Sequence, residues 1–267
     1  MLQSAARELA GSPDARRPVM EQLLVALFEL GRDGRFSRLF REYSAEFAAE
    51  PDRAFDDLYL AGLLATRTGP VPLTRRDRFL RLIREFEHTL GLEGLVAECG
   101  CFRGLSSYLL CSRLRLRDGA FEGTGYRIFD SFAGLSEPRA EDALRGADAA
   151  APHRDNMQAG RFAAALEDVR RALAPFPGIA YFPGWIPAAF PRDEARYRFV
   201  HVDVDLYQPT RDSLEYFWPR LVPGARMVCD DYNWPGGKRA VDEFCAARGI
   251  DARITASTQA VIERERD

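Results

Sequence analysis

Acidic side chains cluster in two short segments, each directly after a strand-like apolar run. Asp203 and Asp205 stand in HVDVDLY, and Asp230 and Asp231 stand in CDDY. The carboxyl ends of adjacent parallel strands share one edge of a sheet, so Asp203, Asp230 and Asp231 are expected to converge there. Three carboxylates in one cleft repel one another unless a cation lies among them. An all-oxygen ligand set suits Mg²⁺, with Mn²⁺ as an alternative, and we predict that these three aspartates form a metal site.

The same acids indicate chemistry at a hydroxyl group. A divalent cation that binds a hydroxyl lowers its pKa and turns its oxygen toward an electrophile. Asp205 follows Asp203 closely enough to accept the proton as a general base. Acids at strand ends also cap helices or remain in solvent, but four of them at two strand ends favour a catalytic role for Asp203 and Asp205.

A glycine-containing turn predicts a cofactor that carries a nucleoside. The segment ECGCFRG (98–104) follows the first strand-like run and leads into a helix. Gly100 and Gly104 lack a Cβ and can admit a ligand to the backbone, while the N–H groups at the helix start can face a carboxylate. Asp130 ends the next strand, where carboxylates accept hydrogen bonds from ribose. The spacing of the acid and the glycines differs from the dinucleotide fingerprint, which disfavours a nicotinamide oxidoreductase.

Two further positions are each open to two interpretations. Gly184 and Trp185 follow the third strand-like run, where an aromatic ring could stack on an adenine or simply pack in the core. His201 lies within the fourth run, and we favour a buried core histidine there over a ligand. A histidine-rich zinc site is disfavoured because the chain has three histidines in all.

Composition narrows the choice of partners and compartment. The 267 residues include 37 Lys and Arg against 40 Asp and Glu, a formal net charge of −3, which disfavours a nucleic-acid partner because such modules carry a basic excess. Five cysteines without a CxxC pair are typical of free thiols in a reducing compartment, so we expect the cytoplasm. No apolar run reaches the roughly 18–20 residues of a membrane helix, so no membrane association is expected.

The order of elements that must position these residues predicts a doubly wound α/β fold. After Gly91, β-prone runs alternate with helical ones, which favours a mainly parallel sheet with right-handed crossovers and helices on both faces. The predicted strands are 95–99, 126–129, 179–182, 198–204 and 225–229, followed by a closing pair at 253–256 and 260–263. The predicted helices between them are 106–116, 161–173, 210–221 and 238–247.

The N-terminal third has a different pattern. Apolar residues recur at three- and four-residue spacing between residues 18 and 91, which predicts about four amphipathic helices. We therefore expect an N-terminal helical extension at 1–73 and an α/β domain at 74–267. The apolar stripes of the extension leave open whether its helices pack on their own domain or form a homodimer interface.

These motifs resemble the macrocin O-methyltransferase family, which includes sugar methyltransferases of macrolide and aminocoumarin biosynthesis. The matching segments are LVAECGCFRGLSS (95–107), IFDSFAGLSEP (128–138), GWIPAAFP (184–191), HVDVDLYQPT (201–210) and PRLVPGARMVCDDYNWPGGKRAVDEF (219–244). The family often has two consecutive glycines where this chain has Gly104 and Leu105. The helical region before residue 70 has no counterpart in the resemblance.

The resemblance implies a Rossmann-like class I fold with a seven-stranded sheet, and S-adenosylmethionine as the methyl donor. It also implies Mg²⁺ on Asp203, Asp230 and Asp231, with Asp205 as the base and a sugar hydroxyl as the acceptor. The residues that it places at the cofactor are Glu98, Gly100, Gly104, Ser106, Asp130, Ser131, Gly184, Trp185 and Thr74.

The acceptor itself stays open at this point. Specificity in such folds comes from insertions over the strand ends, which here are the N-terminal helices and the long loop 134–158. A natural-product sugar, another small-molecule hydroxyl and a glycan are all compatible with these segments. A catechol-type methyltransferase and a non-catalytic nucleotide-binding module are the competing interpretations, and the convergent carboxylates disfavour the second.

Overall fold

The computed structural model describes residues 13–69, 73–143 and 158–266. Within these ranges the helices are α1 (Pro13–Glu29), α2 (Asp33–Phe47), α3 (Arg53–Thr66), α4 (Leu73–Glu87), α5 (Leu105–Arg117), α6 (Leu166–Ala172), α7 (Tyr207–Phe217) and α8 (Pro235–Ala246). The strands are β1 (Leu95–Cys99), β2 (Tyr126–Asp130), β3 (Ala180–Pro183), β4 (Tyr197–Val202), β5 (Leu221–Cys229), β6 (Arg253–Ile254) and β7 (Ala260–Glu263).

The seven strands form one sheet in the order β3-β2-β1-β4-β5-β7-β6. The first five strands pair in parallel, and β7 pairs antiparallel with both β5 and β6. This confirms the predicted α/β class, including the antiparallel closing pair. Because β1 lies at the centre of the parallel part, the carboxyl ends of β2, β1, β4 and β5 lie side by side at one edge of the sheet.

Several predicted boundaries were wrong for identifiable reasons. The helix predicted at 161–173 begins only at Leu166, and Phe162 before it has a positive φ of 62° that a helix does not accept. The helix predicted at 210–221 begins earlier, at Tyr207. Pro209 in its first turn is compatible with this start, because N–H groups of the first turn have no partner within the helix. It ends at Phe217, because Leu221 already belongs to β5.

The core of the α/β part is built from the sheet and the helices that follow β4 and β5. Val200 and Met227, both fully buried in adjacent strands, belong to one apolar cluster with Phe217 of α7 and Phe244 of α8. The five cysteines are all buried and free, as the sequence predicted. Among the described residues, no helix combines the length and apolarity required to span a membrane.

The chain divides into two compact units, Met1–Leu80 and Arg81–Asp267. In the first unit, aromatic side chains form the interior, and Phe40 packs against Tyr59 with ring centroids 5.7 Å apart. Helix α3 begins with a side-chain cap, because the Asp52 carboxylate accepts a hydrogen bond from the Phe55 N–H at 2.9 Å. The sequence-based domain boundary at 73/74 falls at the start of α4, and the two units part further along this helix; the domain assignment stays a prediction.

Candidate active site

The ends of β1, β4 and β5 bring the predicted acids to one edge. The backbone N–H of Asp203 donates to the Cys99 carbonyl at 2.8 Å, and the N–H of Asp230 donates to the Val202 carbonyl at 2.8 Å. Each of these bonds extends the parallel pairing by one step beyond the strand. The residues that follow β4 and β5 are therefore held side by side; we call Asp203, Asp205, Asp230 and Asp231 the aspartate rim.

Two overlapping groups of ligand-type atoms occur at the aspartate rim. In the first group the donor atoms of His201, Asp203 and Asp230 all lie within 4.8 Å of one another. In the second group those of Asp203, Asp205 and Asp231 meet the same limit. Asp203 belongs to both groups, whereas Asp230 and Asp231 are divided between them. The predicted set of Asp203, Asp230 and Asp231 stays a prediction, with Asp203 as its central member.

The backbone of Asp205 turns sharply at the rim. Its φ is 58°, a left-handed conformation that aspartate tolerates better than most residues with a side chain. The N–H of Asp205 donates to Asp231 Oδ2 at 3.2 Å. This hydrogen bond fixes the position of the Asp205 backbone relative to the Asp231 carboxylate. Asp205 remains partly exposed, while Asp231 is buried. The side chain proposed as a base is thus the more accessible of the pair.

Asp142 also reaches this region, and the sequence analysis missed it. Its Oδ1 accepts a hydrogen bond from the Tyr207 N–H at 2.6 Å, and its Oδ2 accepts one from the Arg139 N–H at 2.8 Å. Leu206 gives α7 no side-chain cap, so Asp142 caps that helix from a distant loop. A Cβ on Gly236 would overlap the Asp142 carboxylate, which explains the glycine. No local signal connects these residues, because they are far apart in sequence.

The glycine turn after β1 has the expected conformation, with φ of 79° at Gly100 and 88° at Gly104. A Cβ on Gly100 would overlap the Asp203 carbonyl oxygen. Gly104 starts α5, and a Cβ there would lie 3.3 Å from the Leu173 side chain. Close approach of the Asp203 backbone requires the first glycine, and the left-handed backbone conformation favours glycine at the second. A contact with a cofactor stays a prediction for both.

Asp130 ties the end of β2 to the glycine turn. Its Oδ2 accepts hydrogen bonds from the N–H groups of Cys101 at 2.7 Å and Phe102 at 3.3 Å, and its Oδ1 accepts one from Phe132 at 2.7 Å. Ser131 Oγ beside it donates to the Gly134 carbonyl at 2.9 Å. A carboxylate has about four acceptor positions. Asp130 is partly exposed, and its contact with a ribose hydroxyl stays a prediction.

Glu98 at the end of β1 is buried. Its side chain is 0% exposed, and its carboxylate is bonded to three protein groups: His201 Nδ1 at 2.9 Å, the Tyr126 hydroxyl at 3.1 Å and the Ser107 hydroxyl. These three groups hold the carboxylate in the interior, and a contact of Glu98 with a cofactor stays a prediction. Ser106 is similarly buried, at 5% exposed.

His201 is a fully buried histidine between two carboxylates. Burial lowers its pKa, but the neighbouring carboxylates of Asp230 and Glu98 outweigh this effect and raise the pKa to about 10. The interpretation as a core histidine agrees with its burial. The contact with Glu98 was not foreseeable from the sequence, because it depends on the register that pairs Glu98 of β1 with His201 of β4.

The turn after β3 lies at the same edge of the sheet. Gly184 has a φ of 142°, and its N–H donates to the Asp130 carbonyl at 2.9 Å. Trp185 is 48% exposed, so the alternative that it packs in the core is wrong. The indole follows Gly184 directly in the chain, and its exposure leaves it available to a ligand. Thr74 lies in α4, but its side chain is outside the described residues, as are 144–157 of the predicted specificity loop.

Comparisons with known proteins match this geometry. The profile of the family described as macrocin O-methyltransferase (TylF) matches residues 72–262. The chain is 31% identical over 175 residues to 8-demethyl-8-(2,3-dimethoxy-alpha-L-rhamnosyl)-tetracenomycin-C 4'-O-methyltransferase of Streptomyces olivaceus, covering 62% of this chain and 63% of that protein. It is 31% identical over 169 residues to demethyldecarbamoylnovobiocin O-methyltransferase of Streptomyces niveus, covering 61% and 62% respectively. The chain thus spans less than two thirds of the length of these relatives.

Solved structures show the same architecture. The O-methyltransferase NovP is 29% identical, with a TM-score of 0.59 over 71% of this chain and 80% of NovP. The calicheamicin methyltransferase CalS11 is alike in fold, with a TM-score of 0.59 at 16% identity over 81% of this chain and 95% of CalS11. The family match covers well over half of the sequence and includes the whole aspartate rim. The chain therefore belongs to the macrocin O-methyltransferase family.

Proposed function

We propose that this protein is an S-adenosylmethionine-dependent O-methyltransferase that methylates a sugar hydroxyl of a natural product. The observation that carries the proposal is the aspartate rim, which stands beside the glycine turn after β1 in a chain of this family. The relatives support the reaction class because each is named as an O-methyltransferase. They support a sugar acceptor because one of them is named for a substrate with a rhamnosyl group.

The cofactor is assigned to the edge formed by the ends of β1, β2 and β3. The turn at Gly100–Gly104 and the start of α5 would face the methionine part, with Asp130 toward the ribose. Trp185 would cover the adenine, since its indole is exposed and aromatic rings stack on flat bases. We assign Ser131 and Gly184 to the same cofactor site, and the assignment of Thr74 to the cofactor rests on the family resemblance alone.

The donor set of the aspartate rim fits a divalent cation. Two groups of ligand-type atoms, each within 4.8 Å, share Asp203 and include Asp230 in one and Asp231 in the other. A hard cation stabilises clustered carboxylates, and oxygen ligands suit Mg²⁺ or Mn²⁺. We assign Asp203, Asp230 and Asp231 to hold it. The chemistry that the bound ion would supply is polarisation of the acceptor hydroxyl.

The reaction that these residues serve is a substitution at the methyl carbon. The bond between that carbon and the sulfonium sulfur breaks, the sulfur keeps the electron pair, and a bond to the acceptor oxygen forms. The hydroxyl proton must leave, and we assign it to Asp205, whose backbone is held by Asp231 Oδ2 at 3.2 Å. Holding the base and the acceptor hydroxyl in a fixed relative position lowers the entropic cost of reaching the transition state.

The test is product formation from defined acceptors. The purified chain, S-adenosylmethionine and Mg²⁺ would be incubated separately with a rhamnosylated aromatic polyketide, a glycosylated aminocoumarin and a simple catechol, and products analysed by mass spectrometry. We expect one added methyl on the sugar of a glycosylated acceptor, with equimolar S-adenosylhomocysteine. Methylation of the catechol alone would contradict the sugar assignment, and turnover of none of the three after cofactor binding has been verified would contradict this acceptor class.

A further inference from the structure

Four buried polar side chains cross the sheet in a row. Glu98 on β1, His201 on β4, Asp230 after β5 and Gln259 before β7 are 0%, 0%, 4% and 1% exposed. These elements are consecutive neighbours in the sheet order β1-β4-β5-β7. We call these four residues the polar chain. Polar groups buried at this depth are retained at a cost unless they bond one another.

The contacts of the polar chain converge on one carboxylate oxygen. Gln259 Nε2 donates to Asp230 Oδ1 at 2.6 Å. On the other side, His201 Nδ1 lies 2.9 Å from Glu98 Oε1, which orients the ring so that Nε2 lies 3.7 Å from Asp230 Oδ1. His201 Nε2 is buried and has no hydrogen-bond partner among the described residues. The Asp230 carboxylate is therefore an acceptor that this nitrogen faces without a hydrogen bond.

Gln259 is fixed by its own turn. Its N–H donates to Thr255 Oγ1 at 3.1 Å, and its carbonyl accepts from the Thr255 N–H at 2.9 Å. The Ser257 hydroxyl donates to Gln259 Oε1 at 3.3 Å. With the amide oxygen engaged by a donor, the Nε2 side must face the Asp230 carboxylate. The antiparallel edge of the sheet thereby reaches into the candidate active site.

We propose that Gln259 and His201 are positioning residues that hold the Asp230 carboxylate in the orientation that binds the metal. This inference rests on the proposed function, because it assumes that the aspartate rim takes a divalent cation. Gln259 engages Oδ1 from one side, and His201, anchored by Glu98, faces the same oxygen from the other. Partners of this kind around a metal-binding carboxylate restrict its rotation, and their loss weakens metal affinity by about 10–100-fold.

The test is the Mg²⁺ affinity of the full chain carrying Gln259→Met, measured by isothermal titration. Methionine has a similar length to glutamine but no N–H donor, so the carboxylate loses its partner while the space stays filled. We expect the Kd for Mg²⁺ to rise about 10–100-fold, with the Kd for S-adenosylhomocysteine unchanged. Gln22→Met is the matched control, because Gln22 is exposed on α1, and both affinities should equal those of the unaltered chain.

His201→Gln gives a second, independent measurement. A glutamine amide can still reach Glu98 but cannot place a second nitrogen opposite Asp230, so the same selective loss of Mg²⁺ affinity is expected. Unchanged Mg²⁺ affinity in whichever of the two variants folds, as judged by a cooperative urea-unfolding transition, would overturn the inference. A parallel loss of both affinities would also overturn it, because it would show a general structural role. Failure of the unaltered chain to bind Mg²⁺ would instead contradict the proposed metal dependence on which the inference rests.

Discussion

Buried charged groups cluster in both compact units of this protein. In one unit the cluster is centred on a cation, and in the other it consists mainly of carboxylates. In the N-terminal unit, the fully buried Arg76 is surrounded by acceptors. Its guanidinium donates to Asp56 and Asp77, each at 2.7 Å, and to the carbonyls of Glu50 at 2.9 Å and Asp52 at 3.4 Å. One cation is thus enclosed by two carboxylates and two carbonyls, so the chain itself supplies the cation at the centre of this cluster.

At the aspartate rim the composition is reversed. The two groups of potential ligands together contain four carboxylates and one imidazole, that of His201. A cluster of this kind stores mutual repulsion that an added cation relieves. The difference shows why burial of charge alone does not identify a site. The Arg76 cluster has a cation of the chain at its centre, and we interpret it as structural, whereas the carboxylates of the aspartate rim form the kind of oxygen-ligand set that suits an added divalent cation.

Asp205→Asn should have the largest effect. Asparagine keeps the backbone turn and its N–H bond to Asp231, but it cannot accept a proton. We expect kcat to fall by about 10²–10⁴-fold with little change in cofactor affinity, measured as initial rates of S-adenosylhomocysteine formation. Asp118→Asn is the control, because Asp118 is exposed and only caps Ala120. Full activity in Asp205→Asn would contradict the assignment of Asp205 as the general base.

Arg76→Met should have the next largest effect, on stability. Removing the guanidinium leaves the buried Asp56 without its counter-ion, which costs about 3–5 kcal/mol of unfolding free energy. The measurement is urea unfolding, with Arg41→Met as control. Arg41 pairs with Asp57 at 2.7 Å while both are about half exposed, so about 1 kcal/mol or less is expected there. A loss of Mg²⁺ affinity in folded Arg76→Met would contradict the purely structural role of the Arg76 cluster.

Mg²⁺ itself should stabilise the chain through the rim. At a free concentration of about 100 times Kd, binding to the folded state adds about 2.7 kcal/mol to the unfolding free energy. Urea unfolding with and without Mg²⁺ measures this shift. We expect Asp203→Asn to abolish the shift, because Asp203 belongs to both ligand groups, and Arg76→Met to preserve it. An equal shift in Asp203→Asn would place the cation elsewhere.

Glu98→Gln should have the smallest effect. The amide oxygen can still accept from Tyr126 and Ser107, while the charge opposite His201 is lost, so we expect a loss of about 1–2 kcal/mol of unfolding free energy. Glu167→Gln, on the exposed pair with Arg170, should change stability by about 0.5 kcal/mol or less. A loss of unfolding free energy as large as that of Arg76→Met would show that the polar chain contributes as much to stability as the Arg76 cluster.

The sequence predicted which strand ends meet at one edge of the sheet better than it predicted where each helix and strand begins and ends. Local alternation located β1 and β7 at their observed bounds, because buried strands leave a strong apolar pattern. The helix before β5 was extended too far, since Trp218–Arg220 forms a 3₁₀ turn that apolar spacing does not distinguish from an α-helix. The convergence of Asp203 with Asp231 followed from parallel topology alone.

What the sequence could not predict are contacts set by register and by distant loops. Glu98 stands in a cofactor-type motif, yet its pairing with His201 places it in the interior. Asp142 and Gln259 carry no motif at all, and each reaches the site only through the tertiary fold. Such residues are found from coordinates, because the bonds that define them join segments with no sequence relation.

The measurement that tests the central claim most directly is isothermal titration of the chain with S-adenosylhomocysteine and with Mg²⁺, on the unaltered protein and on Asp203→Ala with Asp230→Ala. We expect micromolar cofactor binding in both proteins and Mg²⁺ binding only in the unaltered one. Cofactor binding absent under every condition would contradict the methyltransferase assignment. Equal Mg²⁺ binding in both would contradict the role of the aspartate rim.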